Sequence, residues 1–343
     1  MGYIAFSLLI PCYRHPLAIV ISRVLKCTAS STILPMHPFR FGVQLKSSGS
    51  IEHILSVVSR VESLGYDVIT VPDHIDQSMS PFVLLGYLAS KTGLTLGTMV
   101  LSNDFRSPVI VAREAAALAT ISQGRFELGV GAGWQGADYL QMGLSMESPS
   151  VRVSRLEEAL SIIKDAFSKE EVSFDGKFYQ LDRFALHPRL SDEVVPKLVV
   201  GGGGKRVLSI AAKFGDVVSI NPSLRHGEYA KETLQEMSEE SYLRKCEWVQ
   251  SKLGALGRSV ELHCRSAFVY VGDDHYEVVS QMAGSFGLDP LEAYKMPPLL
   301  IGSVDDVVQQ LLYRRQRFGF SYWSVHEGDV ESFAPVVNAL KGR

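Results

Sequence analysis

Residues 196–220 read PKLVVGGGGKRVLSIAAKFGDVVSI. Lys197–Val200 is a short apolar, β-branched run, and Asp216–Ile220 is another. Arg206–Phe214 between them carries a helical pattern. Strand, turn, helix and strand in that order make a βαβ unit, whose two strands run parallel in one sheet. Gly201–Gly204 stand where the first strand hands over to the helix. Free N–H groups at that helix start, beside Lys205 and Arg206, predict an anion site, most naturally for phosphate.

The same beat runs outward in both directions. Upstream, Phe39–Leu45 is β-like, and Ser50 caps an amphipathic helix to Gly65 whose apolar face is Ile51, Ile54, Leu55, Val58, Val61 and Leu64. Strands Asp67–Pro72, Leu94–Ser102 and Arg125–Val130 follow, separated by helices Pro81–Lys91 and Pro108–Ser122. Proline at both helix starts suits its fixed φ and missing N–H. From Asp138 to Pro196 the beat stops for an excursion. It holds one helix, Arg152–Phe167, and hairpin chemistry around Asp175-Gly176. Downstream come a long charged helix Glu228–Leu253, strand Glu261–Val271 and short helices after Asp274. Helix Val304–Phe318, strand Tyr322–Val325 and helix Glu331–Leu340 close the chain.

Eight strands alternating with helices, with no change of character midway, predict a single α/β domain. Its expected form is a closed (β/α)8 TIM barrel with an insertion between strands four and five. The competing architecture is an open doubly wound sheet. Residues 1–35 stand apart: two short apolar runs, Ile4–Ile10 and Leu17–Leu25, are broken by Pro11, Arg14, His15 and Pro16. Neither reaches the ~18 apolar residues of a membrane span. A secretory leader, a disordered extension and translated upstream sequence are the readings open for this stretch. The expectation is that Met36 starts the fold, which then occupies residues 36–343, and that residues 1–35 pack little against it.

Composition narrows the class. Of 343 residues, 46% are apolar and 21% charged, ordinary for a globular protein with a sizeable core. Thirty-four Lys and Arg against 37 Asp and Glu leave a net charge of −3, so no basic field for nucleic acid is expected. Four scattered cysteines, without CxxC or HExxH, predict neither a disulfide scaffold nor a zinc site. The expected setting is cytoplasmic, without membrane attachment. The expected partner is a small-molecule substrate, and a homodimer is among the assemblies the sequence allows.

Barrel enzymes place chemistry at the C-terminal ends of strands. After strand two stand Asp73-His74, an acid–imidazole pair able to bind a polar ring edge or relay a proton; a helix cap and a half-buried imidazole explain them equally. After strand three, Met99-Val100 read as core on residue type alone. After strand four, Gly131-Ala132-Gly133-Trp134-Gln135-Gly136 matches GxGxxG in form. It follows the fourth strand, not the first, and no acid closes a next strand, so a Rossmann NAD reading is weak. Backbone pressed against a flat ring, with Trp134 lining the site, explains the glycines better. Arg152, Arg155, Glu157 and Glu158 on the excursion helix are expected to form surface ion pairs.

Taken together the strand ends resemble the luciferase-like monooxygenase superfamily, and within it the oxidoreductases that use coenzyme F420. FRFGVQ, VPDH, LTLGTMVL, GRFELGVGAGW with Asp138-Tyr139, VRVSRLEEAL, VSFDGKFYQL and PKLVVGGGGKRVL carry the resemblance, over roughly residues 38–341. It implies a non-prolyl cis peptide at Met99-Val100 behind the flavin ring, and Asp73 and His74 beside it, with His74 near the reacting carbon. It also implies that the loop Gly201–Arg206, with Gly202, Gly203, Gly204, Lys205 and Arg206, cradles the cofactor phosphate; Gly131, Gly133 and Trp134 are expected at the ring from their residue types. Members that oxidise a phosphorylated sugar carry Glu where Trp134 stands and Trp where Ser78 stands. This chain has neither, which predicts a larger, flatter, apolar substrate. The implied activity is F420-dependent hydride transfer with His74 as acid or base. The alternatives are an FMN-dependent monooxygenase and a flavin- or deazaflavin-binding protein without turnover.

Overall fold

The computed structural model describes residues 37–77, 79–224 and 231–343. The expectations for residues 1–35, for Met36 and for Ser78 fall outside the described residues.

In chain order, β1 (Arg40–Gln44) leads through α1 (Ile51–Ser63) to β2 (Val68–Val71), and α2 (Pro81–Leu88) leads to β3 (Thr95–Thr98) and β4 (Leu101–Ser102). Next come α3 (Pro108–Ile121) and β5 (Phe126–Gly131). The insertion holds α4 (Gly136–Gln141), α5 (Pro149–Ser168) and the hairpin β6 (Val172–Asp175) with β7 (Gln180–Phe184). β8 (Lys197–Gly202), α6 (Lys205–Phe214) and β9 (Val217–Ile220) form the βαβ unit read first in the sequence. α7 (Lys231–Glu236) and α8 (Glu239–Leu256) precede β10 (Glu261–Arg265). A second insertion contains β11 (Phe268–Val271), α9 (His275–Phe286), α10 (Pro290–Lys295) and β12 (Leu299–Gly302). α11 (Val304–Phe318), β13 (Phe320–His326) and α12 (Val330–Leu340) finish the fold.

The main sheet runs β3-β2-β1-β13-β10-β9-β8-β5, and β3 pairs back onto β5, so eight parallel strand positions close into a TIM barrel. β4 prolongs the third position past a cis peptide between Met99 and Val100, pairing Leu101 with Val130. Barrel strands are covered on both faces, which is why β2 and β9 are uninterrupted buried runs. Helices lay one stripe onto the barrel: Ser50 caps α1 by accepting from the N–H of His53, and Ile54, Val58 and Val61 are its buried residues. At the N-terminal end of the barrel Arg40 bridges Glu127 (2.7 Å) and Glu261 (2.8 Å) and lies 3.9 Å from the ring centre of Tyr322.

Three sequence expectations need correction. The long helix from Glu228 is broken: α7 ends at Glu236, and Ser238 starts α8 by accepting from the N–H of Ser241. Residues 228–230 lie outside the described residues. The strand Glu261–Val271 is two strands. Ser266 turns back to bond the carbonyl of Ser324, Ala267 donates to Pro298, and β11 leaves the barrel to pair with β12. That second insertion has an apolar cluster of its own, with Val279, Ala283, Tyr294, Met296 and Ile301. The first excursion holds two helices, not one, because α4 precedes α5. Both excursions leave from C-terminal strand ends.

Candidate functional site

A cavity of about 1010 Å³ opens at those strand ends. Its wall contains His74, Asp73, Met99, Val100, Gly131, Gly133, Trp134, Gly202, Gly203, Gly204 and Arg206, so eleven of the twelve residues named from sequence converge on one space. The exception is Lys205, which is exposed and does not line it.

The expected pair Asp73–His74 does not exist as a pair. The carboxylate of Asp73 is buried and grips Arg106 at 2.6 and 2.9 Å, and it accepts the N–H of Ser102 at 3.1 Å. It thereby ties the end of strand two to that of strand three. The carboxylate serving His74 is Asp138, in the first turn of α4, with Oδ2 2.9 Å from Nδ1. Asp138 Oδ1 accepts the N–H of Ile75 (3.1 Å) and the amide of Gln135 (3.4 Å), so the acid is oriented from both sides. An ionised carboxylate can only accept, so Nδ1 of His74 donates to it and Nε2 is left as the basic nitrogen. Asp138 belonged to the motif behind the resemblance, but nothing in its spacing assigned it a role.

The remaining wall is shaped by backbone. Gln44 Nε2 donates to the carbonyl of Met99 at 3.4 Å, bracing the cis peptide. Gly133 sits at φ +74°, and a Cβ there would lie 2.3 Å from the Tyr139 hydroxyl and 2.7 Å from that of Ser102; no other residue type fits. Trp134 stands edge-to-face to His74, ring centres 5.7 Å apart. The GxGxxG stretch opens α4, a helix of six residues, which leaves a Rossmann dinucleotide site without its long helix.

Arg152 overturns its expected surface role. It is 4% exposed, lines the cavity, donates to the carbonyl of Gly133, and its Nε is buried without a partner. The sequence signal was weak: an arginine at the core-facing position of α5 looks like any other on a charged helix. Its neighbours behave differently from one another. Arg155 pairs with Asp104 at 2.9 Å and Glu157 with Lys213 at 3.3 Å, while Glu158 caps the hairpin turn by accepting the N–H groups of Lys177, Phe178 and Tyr179.

The glycine turn is a cradle. A Cβ on Gly203 would lie 2.6 Å from backbone atoms of Asn221, Pro222 and Ser223, which cannot yield. Gly204 caps α6 without a side chain, so the first-turn N–H groups face outward for an anion. Arg206 reaches back to the carbonyl of Ser150 (3.0 Å) and the hydroxyl of Ser154 (2.7 Å), locking α6 to α5. A backbone cradle that a Cβ would fill, an open helix start and a buried arginine with an unpaired nitrogen fit a phosphate-bearing, flat-ringed cofactor.

Two further imidazoles stay neutral. Burial, then the charges of Arg40 and Arg265, push His263 down to about 3, and it lies between the hydroxyls of Ser219 and Ser324. Burial, then Arg265 and Lys46, push cavity-lining His326 down to about 4.

A family model for luciferase-like monooxygenases matches residues 32–297. An F420-dependent glucose-6-phosphate dehydrogenase of Kribbella flavida is 34% identical over 166 residues, which are 46% of this chain and 49% of that one. A 5,10-methylenetetrahydromethanopterin reductase of Archaeoglobus fulgidus is 28% identical over 197 residues, 57% of each chain. The chain spans about half the length of the curated relatives it matches. Among solved structures, the coenzyme F420-dependent tetrahydromethanopterin reductase of Methanopyrus kandleri superimposes with a TM-score of 0.71 at 17% identity, over 89% of this chain and all of that one. That likeness establishes the barrel. Among the described residues no helix is long and apolar enough to cross a membrane.

Proposed function

Because the chain belongs to the luciferase-like monooxygenase family, we propose that it is an oxidoreductase using coenzyme F420, moving a hydride between the deazaflavin and a flat organic substrate. The observation that carries this reading is the His74–Asp138 pair, set beside Trp134 in the same cavity as a phosphate cradle. When bound, the deazaflavin supplies the hydride chemistry at the ring carbon that stands where a flavin has nitrogen.

The chain's own residues do the rest. Gly202–Gly204 and the first turn of α6 would hold the phosphate, with Arg152 adding charge from α5. Met99, Val100 and Gly131 would back the ring. His74, its Nδ1 committed to Asp138, would take a proton at Nε2 from a substrate alcohol, or return one after a double bond is reduced. Trp134 puts an indole where the sugar-oxidising members have a carboxylate. A phosphorylated sugar thereby loses its proton acceptor, and a flat apolar face gains a partner.

The test is binding followed by turnover. Titration with F420 and with FMN, read by fluorescence quenching, should give clearly tighter binding of F420. Tighter FMN binding with oxygen consumption would replace this reading by the FMN monooxygenase. F420 binding without reduction or oxidation of any flat ketone, enone or alcohol would leave a binding protein. Binding of neither would end the proposal.

A further inference from the structure

Lys245 stands on the inner face of α8 with the buried Tyr242, Cys246 and Val249, and it is 1% exposed. An ammonium at that depth has lost its hydration, which is unfavourable unless its N–H groups find acceptors. Its Nζ has three: the carbonyl of Glu236 at 3.0 Å, the Glu236 carboxylate at 2.7 Å and the carbonyl of Asn221 at 3.1 Å. Three donors meet three oxygens, so the group is saturated. An apolar side chain of similar length would fill the same space without the desolvation cost. What the ammonium adds is the placement of those oxygens. Two of them belong to the last residue of α7; the third belongs to the cavity wall.

Asn221 is the first residue after β9 and is tied on its other sides as well. Its N–H donates to the carbonyl of Gly202 at 2.9 Å. Its Nδ2 donates to the carbonyl and the hydroxyl of Ser219 at 3.2 and 3.1 Å. From there the backbone of Asn221, Pro222 and Ser223 runs along the glycine turn. The Asn221 oxygen, the Pro222 carbonyl carbon and the Ser223 nitrogen would each lie 2.6 Å from a Cβ on Gly203. The oxygen that Lys245 holds is therefore one of the three atoms packed against Gly203. Glycine has no side chain with which to fix its own backbone, and Gly202–Gly204 is an unbroken run of it. The turn takes its shape from the strip behind it, which Pro222 stiffens in the middle and Lys245 anchors at its start. A phosphate gains most from N–H groups already in place, because no ordering of the turn is then needed on binding.

We propose that Lys245 is a positioning residue for phosphate binding: it fixes residues 221–223 against Gly203 and so holds the Gly202–Gly204 turn with its N–H groups set for a phosphate-bearing ligand. The proposal rests on the deazaflavin reading for the identity of that ligand, though the anchor itself requires no cofactor. Lys245 touches neither phosphate nor ring and acts through the Asn221 carbonyl.

The probes are F420 and its phosphate-free ribityl deazaflavin core, titrated by fluorescence quenching. The ratio of their dissociation constants reports what the phosphate-bearing tail contributes. In Lys245→Met, which keeps the stem and removes the ammonium, the ratio should fall at least ~10-fold while the core binds within several-fold of the parent. Glu236→Gln destabilises the buried ammonium but leaves its bond to Asn221, and should hold the ratio within ~2-fold. A cofactor-free reading comes from amide exchange: in Lys245→Met the Asn221 N–H should exchange at least ~10-fold faster, with the amides of β1 unchanged. Should Lys245→Met not fold, Lys245→Arg carries both readings, with the same direction and a smaller size. An unchanged ratio overturns the proposal, as does a loss shared equally by F420 and its core, an equal loss in Glu236→Gln, or unchanged exchange at Asn221. If the parent binds neither ligand, the proposed function falls and pyrophosphate, titrated by calorimetry, takes their place. Weaker pyrophosphate binding in Lys245→Met then leaves the anchor standing, and equal binding overturns it too.

Discussion

His74 Nδ1 and Asp138 Oδ2 meet at 2.9 Å across 64 residues of sequence, while the acid adjacent to His74 in the chain turns away to Arg106. The excursion after strand four thus supplies the group that fixes the tautomer of a residue after strand two. Asp138→Asn keeps the shape but allows the amide to donate, which favours the other imidazole tautomer. Turnover should fall by at least ~30-fold, with F420 affinity within several-fold. Steady-state kinetics beside a fluorescence titration checks both halves.

Gly203 and Gly204 separate space from conformation in the cradle. Gly203→Val places a Cβ 2.6 Å from three backbone atoms, whereas a Cβ on Gly204 meets nothing within 4 Å. F420 affinity should drop at least ~100-fold for Gly203→Val, about 2.7 kcal/mol. Gly204→Ala should leave it nearly unchanged. Equal losses in the two variants would show that the turn does not act as a steric cradle.

Asp73 and Arg106 join two strand ends through a largely buried pair. Removing one partner strands the other charge away from water, which typically costs ~3–5 kcal/mol for a fully buried pair, and less here because Arg106 is partly exposed. Arg106→Leu should therefore lower stability by about 2–3 kcal/mol, with Asp73→Asn milder because an amide still accepts from Ser102. Urea unfolding of both variants decides the order.

Acid should weaken the fold through its neutral imidazoles. His326 is held at about 4 against an ordinary 6.5. Between these values the unfolded chain binds a proton that the native chain refuses, so stability is full above pH 6.5 and declines as pH falls towards 4. One such site contributes a slope of up to about 1.4 kcal/mol per pH unit. Buried His263, held at about 3, adds to it over a wider range. His326→Gln should flatten the dependence of the urea midpoint on pH between 5 and 6.5; an unchanged slope would contradict the assignment.

Local patterns made the barrel legible. The turn at Gly201–Gly204, the helix caps and the apolar stripes each report on neighbours a few residues away, and βαβ chirality and closure follow from repetition. Asp138, Arg152 and β12 were not legible for the opposite reason. Asp138 matters because α4 folds back over strand two, and Arg152 because α5 faces the cavity. β12 pairs with a strand that leaves the barrel at Ser266. Each depends on where an excursion lands, which no local spacing encodes. Asp73-His74 misled in the same way: adjacency in sequence suggested a pair, but the two side chains diverge to Arg106 and Asp138.

His74 itself is the sharpest test of the proposed chemistry. It stands at the C-terminal end of strand two, half-buried in the cavity wall, oriented by Asp138 and flanked by Trp134. If it moves a proton, His74→Ala removes that transfer while leaving the glycine cradle and the cis peptide wall untouched. General acid–base groups are typically worth ~10²–10⁴ in rate, so turnover should fall at least ~100-fold. F420 affinity should stay within several-fold, because none of the cradle's backbone has changed. A residue that merely packs the ring would show the reverse split: weaker cofactor binding, with turnover at saturation nearly intact. A variant that turns over at the parent rate would make His74 a packing residue and transfer the proton role to Tyr139 or to solvent.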